Sequence, residues 1–349
     1  RIRWKLNPHP GKQIESNVPV VSGQKLPGMQ HKYRETILFF PSQGQTCHAY
    51  CSFCFRWPQF VGIKELKFAS RQVDLLIEYI RERAEITDIL FTGGDPLTMS
   101  TKVLAAYIKP IVEANIPHLN TIRIGTKALS FWPYRFISDA DADALLQLFE
   151  YINEHSIHLT LMAHFNHPNE MMTDAVKIAT SRIQNAGAVI RTQSPLLRHI
   201  NDDAPVWAEM WRMQVNMGIV PYYRFIPRDT GAQHYFSVPL VKAWQIFQEA
   251  YAQVSGIGRT VRGPIMSVEN GKVEVLGVIE KPDNQAFLLQ FLQNRRADLV
   301  RRPFFAGYSP HAIWFNELMP AFSQEDFFFE QEKPFVEAVP MGEATAVAR

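Results

Sequence analysis

Short apolar runs alternate with longer amphipathic segments between residues 35 and 240. The short runs are rich in β-branched and aromatic residues, which favours strands, whereas the longer segments repeat apolar residues at helical spacing. The predicted strands are residues 35–40, 88–92, 119–124, 158–165, 188–192 and 220–226. The predicted helices are residues 70–84, 101–114, 139–155, 173–186 and 205–217. Buried-looking strands joined by helices predict an α/β fold, and six repeats predict a partial (β/α)6 TIM-like barrel that is open on one side.

The remainder of the chain is divided into two extensions around that barrel. Residues 1–33 form an N-terminal extension, residues 34–240 the barrel, and residues 241–349 a C-terminal extension that completes or covers the active site. Within the last segment we expect a hairpin turn at 270–272, a short helix at 286–294, and four arginines in 295–302 on a solvated helix face or in an inter-subunit ion pair. The aromatic-rich stretch 304–329 should pack across the open side or against a partner in a homo-oligomer, and 338–349 should fray.

Composition excludes two classes of partner. Lys+Arg 36 against Asp+Glu 34 gives a formal net charge of +2, so nothing indicates a nucleic acid or another polyanion as partner. No apolar run approaches the roughly 20 residues of a membrane span. With 46% hydrophobic residues in 349, the chain can bury a large core. The first residue is Arg1 rather than methionine, so we expect a natural segment to precede it.

All three cysteines of the chain lie within eight positions, as Cys47, Cys51 and Cys54. Three thiolates suit a four-iron cluster, since each takes one iron and the fourth iron stays open. A zinc site could use His48 as its fourth ligand, but no second ligand pair exists elsewhere, as structural zinc sites usually require. A disulfide would leave one thiol over, and buried structural cysteines are seldom clustered. The sequence therefore predicts a [4Fe-4S] cluster, and its thiols indicate a reducing cytoplasm.

Polar residues follow each predicted strand at the point where active sites of such barrels lie. They are Arg56, Gly93-Gly94-Asp95-Pro96, Thr126-Lys127, His164 to Pro168, Gln193-Ser194 and Arg228-Asp229. Taken alone, the glycine pair is equally typical of a tight turn in which Asp95 or Thr98 caps the next helix. Because the polar residues recur at the same end of successive strands, we expect them to share one site.

The cysteine spacing, with Phe53 before the last cysteine, resembles that of radical S-adenosylmethionine (radical SAM, AdoMet) enzymes. Residues 1–280 are identified as a divergent member of the lysine 2,3-aminomutase family. The matching motifs are Gln30-His-Lys-Tyr33, the cysteine loop with Arg56, Phe91-Thr-Gly-Gly-Asp-Pro-Leu97, His164-Phe-Asn-His-Pro168, Gln193-Ser194 with Asn201-Asp202-Asp203, and Pro221-Tyr222-Tyr223.

The resemblance implies a chemistry and a set of roles. The open iron would chelate AdoMet, an external flavodoxin or ferredoxin would supply the electron, and the resulting radical would take hydrogen from a small amino acid. In the family the amino group then migrates while held on pyridoxal phosphate (PLP). The implied roles are AdoMet binding for Gly93, Gly94, Asp95, Pro96, Gln193, Ser194 and His164 or His167, and substrate carboxylate binding for Arg56.

Two departures from the family pattern concern the substrate. The position of the family's PLP lysine reads Glu269, so PLP use would require Lys272 or Lys127 as a substitute amine. The positions of two substrate-binding aspartates read Arg228 and Arg262, which predicts an anionic distal group instead of the lysine ammonium. The structural alternative is that Arg228 pairs with Asp229 and that Arg262 is merely solvated.

We therefore expect hydrogen abstraction followed by a rearrangement of the 2,3-aminomutase type. The alternatives are a PLP-independent oxidation, elimination or carbon–carbon cleavage on the same scaffold, and an iron-sulfur electron carrier or sensor. A carrier or sensor has no need of the glycine turn or of a polar residue at every strand end. AdoMet consumption would separate these classes.

Overall fold

The computed structural model describes residues 17–21, 23–57, 68–229, 231–279 and 285–330. Eleven of the strands form one sheet, in the order β13-β12-β11-β10-β9-β8-β7-β6-β5-β4-β3. The strands are β1 (Val20–Val21), β2 (Gln24–Lys25), β3 (Met29–Tyr33), β4 (Thr36–Phe39), β5 (Asp88–Phe91), β6 (Thr121–Thr126), β7 (His158–His164), β8 (Val189–Pro195), β9 (Val220–Phe225), β10 (Arg262–Met266), β11 (Gly271–Ile279), β12 (Ala286–Asn294) and β13 (Pro303–Gly307). Strands β1 and β2 form a separate small hairpin.

Seven neighbouring strands of this sheet, β4 to β10, run parallel. Helices follow most of them: α1 (Val73–Arg81), α2 (Thr101–Glu113), α3 (Ala128–Phe131), α4 (Ala142–Glu154), α5 (Asp174–Asn185), α6 (Ala204–Asn216), α7 (Gln233–Phe236) and α8 (Leu240–Ala252). The α/β class and the six predicted strand–helix repeats are confirmed. A seventh parallel strand, β10, is added after α8, within the segment assigned to the C-terminal extension.

The two faces of the sheet have different environments because side chains alternate along each strand. Ile89 and Phe91 of β5 are fully buried in the core that the helices form, together with Leu104 and Ile108 of α2. Asp88 and Leu90, on the opposite face of the same strand, remain partly exposed. The same alternation holds along β6 and β8. One face therefore anchors the helices, and the other is the inner face on which polar residues converge.

Contacts between the two ends of the sheet enclose this inner face. Lys32 Nζ of β3 lies 3.2 Å from Ser267 Oγ, just after β10. Lys272 Nζ of β11 lies 4.1 Å from the centroid of the Tyr33 ring. Arg295, which follows β12, donates to the backbone carbonyl of His31. No strand pairing joins β3 to β12 or β13 in the described residues, so the barrel is partial, but side chains close its seam.

One predicted element of the C-terminal extension is wrong. Residues 286–294 form strand β12, which pairs with β11 and β13 along its whole length, instead of a helix. The arginine segment is not a helix either: it holds a single 3-10 turn at Ala297–Leu299, and Arg296 pairs with Asp298. The hairpin turn around Asn270 is confirmed, since it joins antiparallel strands β10 and β11.

The aromatic-rich stretch packs onto the last strands of the sheet. Phe304 of β13 contacts Phe291 of β12, and Phe327 and Phe329 stack on each other at 5.3 Å beside it. The segment 338–349 lies outside the described residues. No helix in the described part of the chain is both long and apolar enough to cross a membrane.

Candidate functional site

The cysteine loop leaves the carboxyl end of β4 through a 3-10 turn, Ser42–Gln45. Cys47, Cys51 and Cys54 are all partly exposed, and the loop is turned by a hydrogen bond of 3.0 Å from the Cys54 amide to the Cys51 carbonyl. Burial, with smaller contributions from the neighbouring thiols, raises the pKa of Cys51 to about 12 and that of Cys54 to about 11. Thiols in this setting become thiolates only when a cation compensates their charge.

In the described residues no three histidine, cysteine or carboxylate side chains converge on one metal-ion position. An iron-sulfur cluster does not need such convergence, since each thiolate takes a different iron. His48, the candidate fourth zinc ligand, lies with Nδ1 3.9 Å from Asp95 Oδ2.

Gly93 and Gly94 pack against Gln45 and Thr46, the two residues that lead into the cysteine loop. A Cβ on Gly94 would lie 2.2 Å from the carbonyl oxygen of Thr46, and one on Gly93 would lie 2.2 Å from Nε2 of Gln45. Gly93 also has φ +141°, which L side chains rarely adopt. The glycine pair therefore lets the turn after β5 pack against the backbone that precedes Cys47.

Asp95 ties this turn to the neighbouring strand end. It is 1% exposed, its backbone amide donates to Thr46 O at 2.7 Å, and its carboxylate accepts from the amides of Leu97 and Lys127 at 3.0 and 2.8 Å and from Thr126 Oγ1 at 2.9 Å. Asp95 thus caps the 3-10 turn Pro96–Thr98 and not the helix α2, whose N-cap position is Ser100. Because its carboxylate oxygens accept hydrogen bonds from the protein, Asp95 holds the turn after β5 against the end of β6. Pro96 begins the 3-10 turn Pro96–Thr98 and is buried.

The two candidate histidines have different surroundings. His164 ends β7, and its ring centroid lies 5.9 Å from that of Phe53 in the cysteine loop. Its Nε2 is buried without a hydrogen-bond partner in the described residues, and burial, followed by the charge of Lys127, lowers the pKa of His164 to about 3. His167 instead accepts a hydrogen bond of 3.2 Å from the amide of Asn169 and caps a 3-10 turn. His164 is therefore the histidine that lies beside the cysteine loop.

Gln193 and Ser194 of β8 face opposite sides of the sheet. Gln193 pairs with His164 in the strand register and is partly exposed on the inner face. Ser194 is 2% exposed, and its hydroxyl donates to the backbone carbonyl of Phe165. Ser194 thus fastens two strand ends together.

Lys127, which the sequence offered as a substitute amine for PLP, is a neighbour of the cysteine loop. Its Nζ lies 3.2 Å from both carboxylate oxygens of Glu170 and 3.2 Å from the His164 carbonyl. Its charge also acts on Cys51, whose pKa it lowers against the larger effect of burial. The amine is therefore held in an ion pair.

Arg56 and Arg228 both lie close to one aromatic ring. Their guanidinium carbons are 4.9 and 5.3 Å from the centroid of Phe55, which follows Cys54 directly. Burial, followed by the charge of Arg228, lowers the pKa of Arg56 to about 10. Arg228 has Nε 4.0 Å from Asp229 Oδ1, so the predicted ion pair is long. Lys32 adds a third positive charge that acts on the same region.

Arg262 does not join this pair. It begins β10 and lies over the rings of Tyr222 and Tyr223, at 4.2 and 4.5 Å. Lys272 Nζ lies 4.8 Å from the centroid of the same Tyr223 ring and also contacts Gln293. The two arginines that the sequence placed at one end of the substrate therefore belong to two groups of cations on the inner face. Phe55 and Lys32 lie within motifs that the sequence indicated, but the sequence assigned neither of them a role of its own.

A curved parallel sheet, a three-cysteine loop at the end of its first parallel strand and a glycine turn packed under that loop define an enzyme of the radical AdoMet class. The chain is 37% identical over 296 residues to a putative L-lysine 2,3-aminomutase of Aquifex aeolicus, covering 84% of this chain and 75% of that protein. It is 31% identical over 231 residues to the L-lysine 2,3-aminomutase of Bacillus subtilis, covering 66% of this chain and 46% of the enzyme. The chain belongs to the lysine 2,3-aminomutase family.

The family's [4Fe-4S] cluster and AdoMet are accordingly the cofactors of this enzyme. No general family model matches the chain. Among solved structures, it resembles a radical SAM methyltransferase from Sphaerobacter thermophilus at a TM-score of 0.46 and 15% identity, over 70% of this chain and 71% of that one. Streptococcus suis SuiB matches at a TM-score of 0.42 and 10% identity, over 62% and 46%. Both TM-scores are below 0.5, so neither similarity supports a conclusion about this chain. The chain spans about half the length of several aminomutases that it matches.

Proposed function

We propose that the enzyme abstracts hydrogen from a small amino-acid-like substrate with an anionic distal group and directs a rearrangement of the 2,3-aminomutase type. Arg56 would bind the substrate carboxylate, and Arg228 the distal anion. Arg262 would contribute to the positive potential of the inner face. The observation that carries the proposal is that the guanidinium groups of Arg56 and Arg228 both lie beside the Phe55 ring.

The residues at the cysteine loop fit the two cofactors. Cys47, Cys51 and Cys54 would hold the cluster, and thiols whose pKa is raised by burial become ligands when iron supplies the compensating charge. The buried, unpartnered Nε2 of His164 would bind a polar group of AdoMet. When bound, the reduced cluster and AdoMet supply the 5′-deoxyadenosyl radical.

The remaining assigned residues would shape the AdoMet site. Gly93 and Gly94 would leave their backbone open to its ammonium group, and Pro96 would fix the turn after them. Gln193 would reach AdoMet from the inner face. Asp95, Ser194 and His167, whose polar atoms are used within the protein, would act by positioning.

Two arginines in one partly buried region repel each other and any third cation. The charge of Arg228 lowers the pKa of Arg56, and both lower the pKa of Lys32. Asp229 and Glu269 compensate only part of this charge. A bidentate carboxylate or phosphate offsets such a pair, whereas a lysine ammonium would add to it.

A PLP-independent radical reaction is the second candidate, and it is favoured by Glu269. That residue stands in the turn before β11 where the family has its PLP lysine, and Lys127, one of the two substitute amines, is engaged by Glu170. Oxidation, elimination or carbon–carbon cleavage would need no imine.

The partners follow from this chemistry. A flavodoxin or ferredoxin would deliver the electron in the cytoplasm, where thiolate ligands stay reduced. Both extensions would complete the site, since β3 and β10–β12 contribute Lys32, Arg262 and Lys272 to the inner face. The aromatic surface of the C-terminal extension would serve in a homo-oligomer.

The test is 5′-deoxyadenosine formation by anaerobically reconstituted enzyme with amino acids that differ only in distal charge. Glutamate and longer dicarboxylic homologues should support more cleavage than norleucine, and lysine should support least. Preference for lysine would overturn the anionic assignment. Absence of AdoMet cleavage with every substrate, despite a reducible cluster, would instead indicate an electron carrier or sensor.

Arg228→Gln should lower kcat/KM for the best dicarboxylic substrate by roughly 10- to 100-fold, mainly through KM, because a charged hydrogen bond to substrate is lost. Arg259→Gln, at an exposed arginine that only bonds carbonyls of Tyr251 and Val254, is the matched control. An equal loss with norleucine would show that Arg228 serves the fold rather than the distal anion.

A further inference from the structure

Three cations converge on one pair of aromatic rings on the inner face of the sheet. The rings of Tyr222 and Tyr223 lie 4.1 Å apart. Arg262 lies over both, Lys272 lies 4.8 Å from Tyr223, and Arg191 lies 5.2 Å from Tyr222. These groups come from four strands, β8, β9, β10 and β11, so the sheet itself brings them together.

The carboxylates closest to this group are engaged elsewhere. Asp88 is paired with Arg123, whose Nε donates to it at 2.8 Å. Glu274 accepts from the Gly263 amide at 3.1 Å and from Gln290 at 2.8 Å. The three cations take part in no ion pair with any residue in the described ranges. Their positive charge is therefore uncompensated within this part of the protein.

Such an arrangement is costly unless an anion enters it. Lys272 is only 8% exposed, and burial, followed by the charges of Arg123 and Arg262, lowers its pKa well below the ordinary value of a lysine. Burial and two neighbouring guanidinium groups both disfavour the charged form of this amine. A bound oxyanion would reverse both effects by supplying the opposite charge and accepting hydrogen bonds.

We propose that Lys272 and Arg262 form an oxyanion subsite that binds the phosphate or carboxylate group of a ligand on the inner face. Arg262, Tyr222 and Arg191 are partly exposed although they face inward, which leaves room for such a group. The guanidinium fork of Arg262 supplies paired donors to such a group. The subsite is separate from the Arg56–Arg228 pair and does not depend on which substrate that pair holds.

The first measurement is calorimetric titration of inorganic phosphate into the reconstituted holoenzyme. Lys272→Met and Arg262→Gln should each weaken phosphate binding by roughly tenfold or more, the effect of losing one charge-assisted contact. In Arg228→Gln the phosphate binding that depends on Lys272 and Arg262 should persist, because any phosphate held by the Arg56–Arg228 pair is a separate binding event. Lys242→Gln, at an exposed lysine of α8, controls for net charge. Thermal unfolding of each variant shows whether it is folded.

Proton uptake provides a second readout that a structural role would not produce. A bound phosphate supplies negative charge that raises the lowered pKa of Lys272, so its binding should be accompanied by proton uptake from the buffer. Titrations in buffers of different ionisation enthalpy measure this uptake. It should disappear in Lys272→Met and decrease as pH falls toward the lowered pKa. The titratable and charged groups that face this amine are Tyr33 and Lys32 of β3, Asp88 of β5, Arg123 of β6, Tyr223 of β9 and Arg262 of β10.

The oxyanion could belong to a phosphorylated cofactor or to the distal end of a substrate. Competition titrations against inorganic phosphate distinguish the two sources. Displacement of phosphate by PLP but not by a dicarboxylic amino acid assigns the subsite to a cofactor phosphate. Displacement by the dicarboxylic amino acid but not by PLP assigns it to a substrate anion.

Two results would overturn the proposal. One is wild-type enzyme that binds no phosphate at millimolar concentration. The other is unchanged phosphate affinity in folded Lys272→Met and Arg262→Gln, which would place any anion elsewhere. Failure of AdoMet cleavage would bear on the proposed reaction alone, because phosphate binding is measured without turnover.

Discussion

At the scale of single residues, His164 is a buried base whose charged form the fold disfavours. Burial, followed by Lys127, lowers its pKa to about 3, against about 6.5 in an unfolded chain. The folded state therefore binds fewer protons than the unfolded state below pH 6.5. The stability that His164 contributes is complete above that pH and is lost as pH falls toward 3, by up to about 1.4 kcal/mol per pH unit.

His164→Gln should accordingly flatten the dependence of the free energy of unfolding on pH. Between about pH 7 and pH 5 we expect the variant to lose about 1–2 kcal/mol less stability than the wild type. Urea unfolding of the reduced, cluster-free protein at both pH values measures this difference. His158→Gln removes an exposed histidine from the other end of β7 and should behave like the wild type. Equal slopes for all three proteins would contradict the assignment.

The sequence indicated His164 and His167 as candidates without distinguishing between them. The motif His164-Phe-Asn-His-Pro168 offers two imidazoles that a pattern cannot distinguish. Strand geometry separates them, since the last residue of β7 turns inward beside Phe53, whereas His167 lies beyond the strand and caps the next turn. Side-chain direction past a strand end depends on tertiary contacts, which explains why local sequence does not give it.

At the scale of elements, the turn after β5 and the cysteine loop are packed backbone to backbone. In Gly94→Ala the new methyl carbon would meet the Thr46 carbonyl at 2.2 Å, so the backbone leading into Cys47 must shift. We expect a loss of about 1–3 kcal/mol in stability and a marked fall in iron and sulfide content after reconstitution.

Gly125→Ala is the matched control, because a Cβ there would have its nearest neighbour at 3.6 Å. It lies on β6, close to the same strand ends, and should retain its cluster. If Gly94→Ala incorporated iron as fully as Gly125→Ala, the close packing would not govern the shape of the loop.

The element that the sequence misassigned shows where local pattern fails. In residues 286–294, Phe287, Leu288, Phe291 and Leu292 recur at helical spacing, so the run resembles an apolar helix. Pairing with β11 on one edge and β13 on the other makes it an internal strand. A strand covered on both faces loses the alternation that identifies strands, and only its partners reveal it.

At the scale of the whole molecule, the seam between the ends of the sheet depends on few side chains. Arg295 donates to the His31 carbonyl and, at 3.2 Å, to Asn17 Oδ1. Arg295→Ala should lower the free energy of unfolding by about 1–3 kcal/mol, since a partly buried carbonyl loses a charged donor. Hydrogen exchange of the β3 amides should accelerate more than that of the β7 amides.

The neighbouring arginine provides the control for that experiment. Arg296 pairs with Asp298 within its own turn, so Arg296→Ala should leave exchange in β3 unchanged. Uniform acceleration over all strands in Arg295→Ala would show global destabilisation rather than an opened seam.

Most of the barrel followed from sequence because its strands and helices carry local periodicity. Three properties of the site did not. The separation of Arg228 from Arg262 depends on how far each lies along neighbouring strands. The inward direction of Lys272 depends on the β10–β11 register. The approach of β3 to β11 joins residues that are far apart in the chain. No short-range pattern encodes such relations.

The contacts at the seam between the two ends of the sheet also affect the order in which the protein folds. His31 and Arg295 are 264 positions apart, and Lys32 and Ser267 are 235 positions apart. Contacts between such distant residues form late, because a long loop must close before they contribute any stability. The parallel strands, with contacts of shorter range, can assemble first and leave the inner face accessible from one side. During biosynthesis the cysteine loop is complete long before its enclosure, which gives an iron-sulfur donor access to the thiols until the last strands arrive.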